Sequence, residues 1–263
     1  MNSRIASILQ ATSMDFSVTA VPEFDLSKLE IASDLELNVP TNLRLGHLVE
    51  KIVAELLKNA NNYKLLFDNV QIIEDKKTIG ELDFIVQENQ TQQVIHLELA
   101  YKFYLFDPNI SSEHINCWIG PNRNDSLQQK LHKLKTKQFP LLYHDCTRST
   151  LNTITFDGVS QALCLLVSLF IPFEFEGKFS PVYQKAIKGY YINFETFVSL
   201  NTNQKAYYLP AKKEWGIEPA ENDSWFDFDS IIKNVVPHLQ LKQSPLCWQN
   251  ENGICTQFFI VWW

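Results

Sequence analysis

The stretch Gly80–Tyr104, GELDFIVQENQTQQVIHLELAYKFY, decides how the rest of the chain is read. Residues 81–87 set Glu81 and Asp83 against the apolar Leu82, Phe84 and Val86. Residues 88–93, ENQTQQ, are uniformly polar and suit a surface turn. From Val94 the alternation resumes. Ile95, Leu97, Leu99, Tyr101 and Phe103 fall on one face, and His96, Glu98, Ala100, Lys102 and Tyr104 on the other, because successive strand side chains point to opposite faces. The pattern predicts two strands joined by a polar hairpin, with the carboxylates of Glu81, Asp83 and Glu98 placed to converge.

Carboxylates on neighbouring strands repel one another unless one is protonated or a cation sits between them. A magnesium ion takes hard oxygen ligands, commonly one or two carboxylates with water and substrate phosphate. A metal site therefore explains the residue types. A solvated acidic strand face that binds nothing fits the spacing as well.

GELDFIV followed by a hairpin and HLELAYK resembles the PD-(D/E)XK nuclease superfamily. More closely, the chain resembles the bacterial family called domain of unknown function 1853, itself grouped with those nucleases. Four segments carry the likeness: RLGHLVEKIVAELL at 44–57, the two strands at 80–86 and 96–105, WIGPNRNDSLQQKLHKL at 118–134, and GYYIN with YYLPAKKEW at 189–193 and 207–215. The resemblance implies an α/β (α+β) fold: a restriction-endonuclease-like core with a central mixed β-sheet flanked by helices, plus a β-rich C-terminal extension. It implies metal-dependent hydrolysis of nucleic-acid phosphodiester bonds, with Mg2+ or Mn2+ as cofactor. Asp83 matches the metal-binding Asp, Glu98 the second acidic ligand, and Glu50 is the candidate carboxylate on the preceding helix. The superfamily places its catalytic lysine two residues after the Glu, and that position here is Ala100. Lys102 lies on the face of Glu98, but four residues of strand rise about 13 Å and a lysine stem reaches roughly 6 Å. Lys102 serves only if it leans back, if a bulge shortens the path, or if substrate lies between.

With 263 residues, the chain is long enough for a substantial core, as one large domain or two small ones. An apolar fraction of 45%, with 18 Phe and 6 Trp, excludes a disordered chain. A net charge of −7 gives no global field attracting nucleic acid, though it leaves room for a local basic surface. Five scattered cysteines form no CxxC pair, which points to a reduced, cytoplasmic compartment and away from a zinc knuckle. The first residues lack the apolar core of a signal peptide. The longest apolar run, Ala162 to Phe173, is too short to span a bilayer, so a soluble protein is expected. There is no phosphate-loop, dinucleotide or GxSxG motif, and the six histidines show no zinc spacing.

Along the chain, residues 1–40 read as an arm with little periodicity. Residues 44–58 form an amphipathic helix with a stripe of Leu45, Leu48, Val49, Ile52, Val53, Leu56 and Leu57. Glu50 falls beside that stripe, and Gly46 inside the helix suggests close backbone packing. Residues 64–74 hold a first strand. After the motif, 126–138 predicts a helix with Leu127, Leu131 and Leu134 on one face and Lys130, Lys133 and Lys137 on the other. With Arg123 these lysines are candidate phosphate contacts, or an ordinary solvated face. Residues 162–171 read as a fully buried core strand, WFDFDSIIKNVVPHLQ as holding a short helix that ends before Pro237, and QFFIVWW as an apolar strand docked on the sheet. Trp215, Trp225 and Trp248 fit core packing better than base stacking. A boundary at 172/173 separates the expected core from the C-terminal extension.

These features admit two functions from different classes. The first is a nuclease in which Asp83 and Glu98, with Glu50, hold the metal and Lys102 assists. The second is a non-catalytic module of the same fold that binds nucleic acid or a protein. Ala100 and the acidic net charge favour the second; a basic helix flanking the acidic pair would favour the first.

Overall fold

A computed structural model of the chain describes residues 3–33, 35, 37, 42–202, 204–220 and 222–263; parts of the expected N-terminal arm, at 1, 2, 34, 36 and 38–40, lie outside the described residues. The strands are β1 (Thr12–Ser13), β2 (Tyr63–Glu74), β3 (Lys77–Glu88), β4 (Val94–Phe106), β5 (Trp118–Ile119), β6 (Ser160–Pro172), β7 (Ile187–Asn193), β8 (Lys205–Tyr208), β9 (Leu246–Glu251) and β10 (Ile254–Val261). The helices are α1 (Ser3–Leu9), α2 (Phe16–Thr19), α3 (Leu45–Lys58), α4 (His114–Cys117), α5 (Leu127–Lys133), α6 (Phe139–Leu141), α7 (Asp145–Thr150), α8 (Pro181–Ala186), α9 (Phe194–Ser199) and α10 (Phe228–Gln240). A π-helical turn, Leu134–Gln138, joins α5 to α6.

The strands form one mixed sheet in the order β2-β3-β4-β6-β7-β10-β9-β8, with β1 on β6 and β5 on β4. The expected α/β class with a central mixed sheet and flanking helices is therefore the observed one. The chain forms two compact units, Met1–Tyr101 with Gln129–Leu166, and Lys102–Gln128 with Val167–Trp263. These units interleave along the chain, unlike a single boundary at 172/173. The chain leaves each unit and returns to it, and turn signals carry no trace of a return.

In the first unit, β2 and β3 meet through a two-residue turn. Asp75 and Lys76 have φ of 45° and 63°, and Glu74 pairs with Lys77, the left-handed geometry that matches strand twist in tight hairpins. Helix α3 packs on β2 and β3 and buries the predicted stripe, with Val49, Ile52, Val53 and Leu57 fully enclosed. Each such side chain contributes roughly 1.5–3 kcal/mol relative to exposure. Ile72, Leu82 and Ile85 from the sheet pack with Leu141, Leu142 and Leu151. The helix expected over 126–138 changes character at Leu134. The Thr136 hydroxyl donates to the His132 carbonyl at 2.8 Å, and Pro140 has no N–H to extend the ladder. Both favour a widened turn.

In the second unit, β7 runs parallel to β6 and to β10, and β10 runs antiparallel to β9. QFFIVWW thus forms most of an inner strand, with Phe258, Phe259, Ile260 and Val261 buried. Trp215 and Trp248 are buried, as core packing requires. Helix α10 passes through Pro237 to Gln240 rather than ending before it. Proline costs one ladder bond, and the Pro237 carbonyl still accepts from Leu241 at 3.2 Å.

Two glycines separate crowding from propensity. A Cβ on Gly189 in β7 would lie 2.1 Å from the Gln257 carbonyl oxygen on β10. Gly189→Ala is expected to cost about 1–3 kcal/mol, read as a lower urea midpoint. The close packing expected at Gly46 is absent, since nothing lies within 4 Å of its Cβ position. Gly46→Ala in α3 is therefore expected to stabilise by roughly 0.5–1 kcal/mol.

Candidate functional site

The β3–β4 ladder runs from Gln87↔Val94 to Phe84↔Leu97 and then gives way to side chains. Asp83 Oδ2 accepts the backbone N–H of Leu99 at 2.8 Å. Asp83 lies beside the Glu98 carboxylate and, through hydrogen bonding, favours its charged form. Strand β4 is buried on both faces at this point, so Glu98 and His96 have no exposed surface. Alternation had placed them on a polar face; being central in the sheet makes that face interior.

Glu98 is ringed by donors. His96 Nε2 lies 2.9 Å from Oε1, and Gln138 Nε2 donates to Oε2. These two partners occupy part of the roughly four acceptor positions of a carboxylate and leave others for a further ligand. Burial pushes Asp83 up to about 8, with the Glu98 charge and more distantly Glu50 adding to the rise against the Leu99 N–H and Lys130. Burial also raises Glu98, opposed by Lys130, by the Asp83 hydrogen bonds and by Lys133. Burial raises both carboxyls, so the pair keeps a proton toward neutral pH. Burial holds His96 down to about 4 despite the Asp83 charge, so its contact with Glu98 is a hydrogen bond from a neutral ring.

Helix α5 and the π turn stand beside this pair. Lys130 Nζ lies 3.1 Å from Gln138 Oε1, and its charge and that of Lys133 favour the ionised Glu98. Lys133 and Lys137 are exposed. The lysine face therefore splits: Lys130 turns toward the carboxylates and the other two face solvent. Glu50 is near enough to raise Asp83 but is bonded to His47 Nδ1 at 3.0 Å. Among the described residues, only Glu74, His144 and Cys146 bring three ligand atoms within 4.8 Å of one another. The expected trio of Glu50, Asp83 and Glu98 is thus a close pair with Glu50 outside it. Lys102 pairs with Asp125 at 2.7 Å. Arg123 pairs with Asp107 at 3.1 Å and lies over Trp263 at 4.5 Å. Both cations are engaged in local structure, which strand and loop sequence did not reveal.

The Glu74–His144–Cys146 group is a weaker metal candidate than its residue types suggest. His144 Nδ1 accepts the Cys146 N–H at 3.3 Å, which leaves the proton on Nε2, the nitrogen facing Glu74 at 3.6 Å. A ligating imidazole instead donates through its other nitrogen. An open cleft of about 730 Å³ lined by Lys64, Gln87, Gln93 and Asp157 contains none of the acidic pair.

The residues at Asp83 and Glu98 fit a divalent cation in kind. Both offer hard oxygens, and the proton they share marks where positive charge is needed. Mg2+ or Mn2+ would be held by Asp83 and Glu98, with His96 outside the ligand set because its N–H points at Glu98. Gln138 and Gln161 were missed in the sequence.

Burial of this pair gives stability a definite dependence on pH. Asp83 titrates higher in the folded chain than its unfolded value near 3.9. The stabilisation from its protonation is whole below that value and is lost as pH rises through about 8. Metal-free protein is expected to lose stability progressively between roughly pH 4 and about pH 8. Asp83→Asn keeps an acceptor for Leu99 and a donor for Glu98, and should flatten that slope, read as urea midpoints in chelator. An unchanged slope would place the proton elsewhere.

No helix among the described residues is long and apolar enough to cross a membrane. No curated protein and no solved structure matches the chain. The family model described as domain of unknown function (DUF1853) matches residues 6–256, and the chain belongs to that family.

Proposed function

We propose that the chain is a metal-dependent nuclease that hydrolyses nucleic-acid phosphodiester bonds. The observation that carries this reading is the fully buried Glu98 with the half-buried Asp83 beside it, next to a lysine-bearing helix. The likeness of GELDFIV and HLELAYK to the PD-(D/E)XK nucleases supports it. Asp83 and Glu98 hold the cation, which when bound polarises a phosphate oxygen and lowers the pKa of a coordinated water. Lys130, rather than Lys102, supplies the positive charge beside the pair, where it opposes charge developing on phosphate. Lys133 and Lys137, exposed on α5 and the π turn, contact the backbone phosphates without reading sequence.

A second reading, a non-catalytic binding module, has specific support. The position that carries lysine in the nucleases is the buried Ala100, and Lys102 is occupied by Asp125.

Labelled single- and double-stranded DNA and RNA, incubated with Mg2+ or Mn2+, separate the two. The nuclease reading expects cleavage by the wild type and a loss of at least about 100-fold in Asp83→Asn and Glu98→Gln. The Lys133→Ala, Lys137→Ala double variant should bind more weakly across all sequences, with a salt slope smaller by about 2. Full cleavage by both acidic variants would sink the site. Metal binding without cleavage of any of the four substrates would select the module.

A further inference from the structure

Two side-chain relays converge on Glu98, and each starts from a group with a single hydrogen-bonding role. Lys130 Nζ can only donate, so the Gln138 atom 3.1 Å away is Oε1, and Gln138 Nε2 is turned to Glu98. The Phe139 carbonyl can only accept, so the Gln161 atom 2.7 Å from it is Nε2. That same nitrogen lies 3.2 Å from His96 Nδ1. Nδ1 must then accept, and the ring proton sits on Nε2, 2.9 Å from Glu98 Oε1. Amide and imidazole orientations are set by such networks, and here both networks have an unambiguous end. Gln138 and Phe139 are consecutive, at the close of the π turn. One irregular turn therefore sends a side chain down one relay and a carbonyl down the other. The Phe139 ring also meets the His96 ring edge-on, 5.6 Å between centroids.

We propose that His96, Gln138 and Gln161 are positioning residues that lock the Glu98 carboxylate in one orientation, with His96 fixed as its Nε2–H tautomer by Gln161. The use of that lock, presenting Glu98 to a divalent cation, rests on the metal-dependent reading above; the lock itself does not. Removing groups that orient a ligating side chain typically weakens metal binding 10–100-fold.

The test has one arm that needs no metal. In metal-free protein with 15N-labelled histidine, NMR should find His96 protonated on Nε2 alone. Gln161→Glu replaces the donor by an acceptor, and should move the proton to Nδ1. Gln161→Met, which adds no charge, should leave the two tautomers mixed and serves if the first variant does not fold. The second arm is calorimetric titration with Mn2+. His96→Leu should bind 10–100-fold more weakly, and His96→Gln, whose amide N–H can stand in for Nε2–H, should recover most of the loss. A wild-type His96 carrying its proton on Nδ1, or His96→Leu binding Mn2+ as tightly as the wild type, would overturn the lock. A wild type that binds no Mn2+ ends the nuclease reading, and the tautomer then decides the lock alone. Binding with no cleavage removes hydrolysis and leaves the lock in place.

Discussion

A carboxylate sealed from water in the middle of a sheet must be answered by donors within reach, and Glu98 imposes that demand on its surroundings. A buried ion left unpaired costs several kcal/mol, so the neighbouring backbone and side chains are arranged around it. The β3–β4 ladder gives way beside it, where the Asp83 carboxylate takes the Leu99 N–H. The helix after α5 widens into a π turn and delivers Gln138. Gln161, the second residue of strand β6, orients His96 from the far side of the ring. Irregular turns of this kind are found often at functional sites.

The answer is costly in itself, because two acids and a neutral histidine occupy space that Leu and Val would fill with less penalty. Proteins keep such arrangements where activity needs them, at some expense of stability. A bound cation and a shared proton are alternative ways to neutralise the same pair, and only the cation brings chemistry to a phosphate. The chain as a whole is acidic, with a net charge of −7, and carries a small positive region on α5 and the π turn.

Much of this was legible in the sequence where a period ran unbroken. Alternation placed β3 and β4, a helical stripe placed α3, and apolar runs placed β6 and β10. The residue types and spacing at Asp83 and Glu98 singled out the pair. What periodicity cannot carry is a partner that arrives from far along the chain. Gln138 reaches Glu98 across 40 residues, and Gln161 reaches His96 across 65. Polar glutamines on a helix look alike until one faces inward. Lys130, Lys133 and Lys137 share a face at regular helical spacing, but Lys130 points at the site while the π turn shifts the register of the residues after Leu134. Lys102 lay on the expected face of β4, yet Asp125 claims it. Glu50 sits on the expected helix, near enough for its charge to act on Asp83, and is held by His47.

The interleaving of the two units has a consequence for how the chain is made. The first unit takes residues up to Leu166, so its earlier part, through Tyr101, emerges from the ribosome without its later segment. In the second unit β10 lies between β7 and β9, although it is the last of the ten strands in the chain. Until residues 254–261 are synthesised, β7 has no partner on that side and β9 lacks its hairpin mate. Folding that must wait for a late inner strand leaves apolar edges open during translation. The nascent chain is thus most open to mispairing, and to capture by chaperones, until residues 254–261 have emerged.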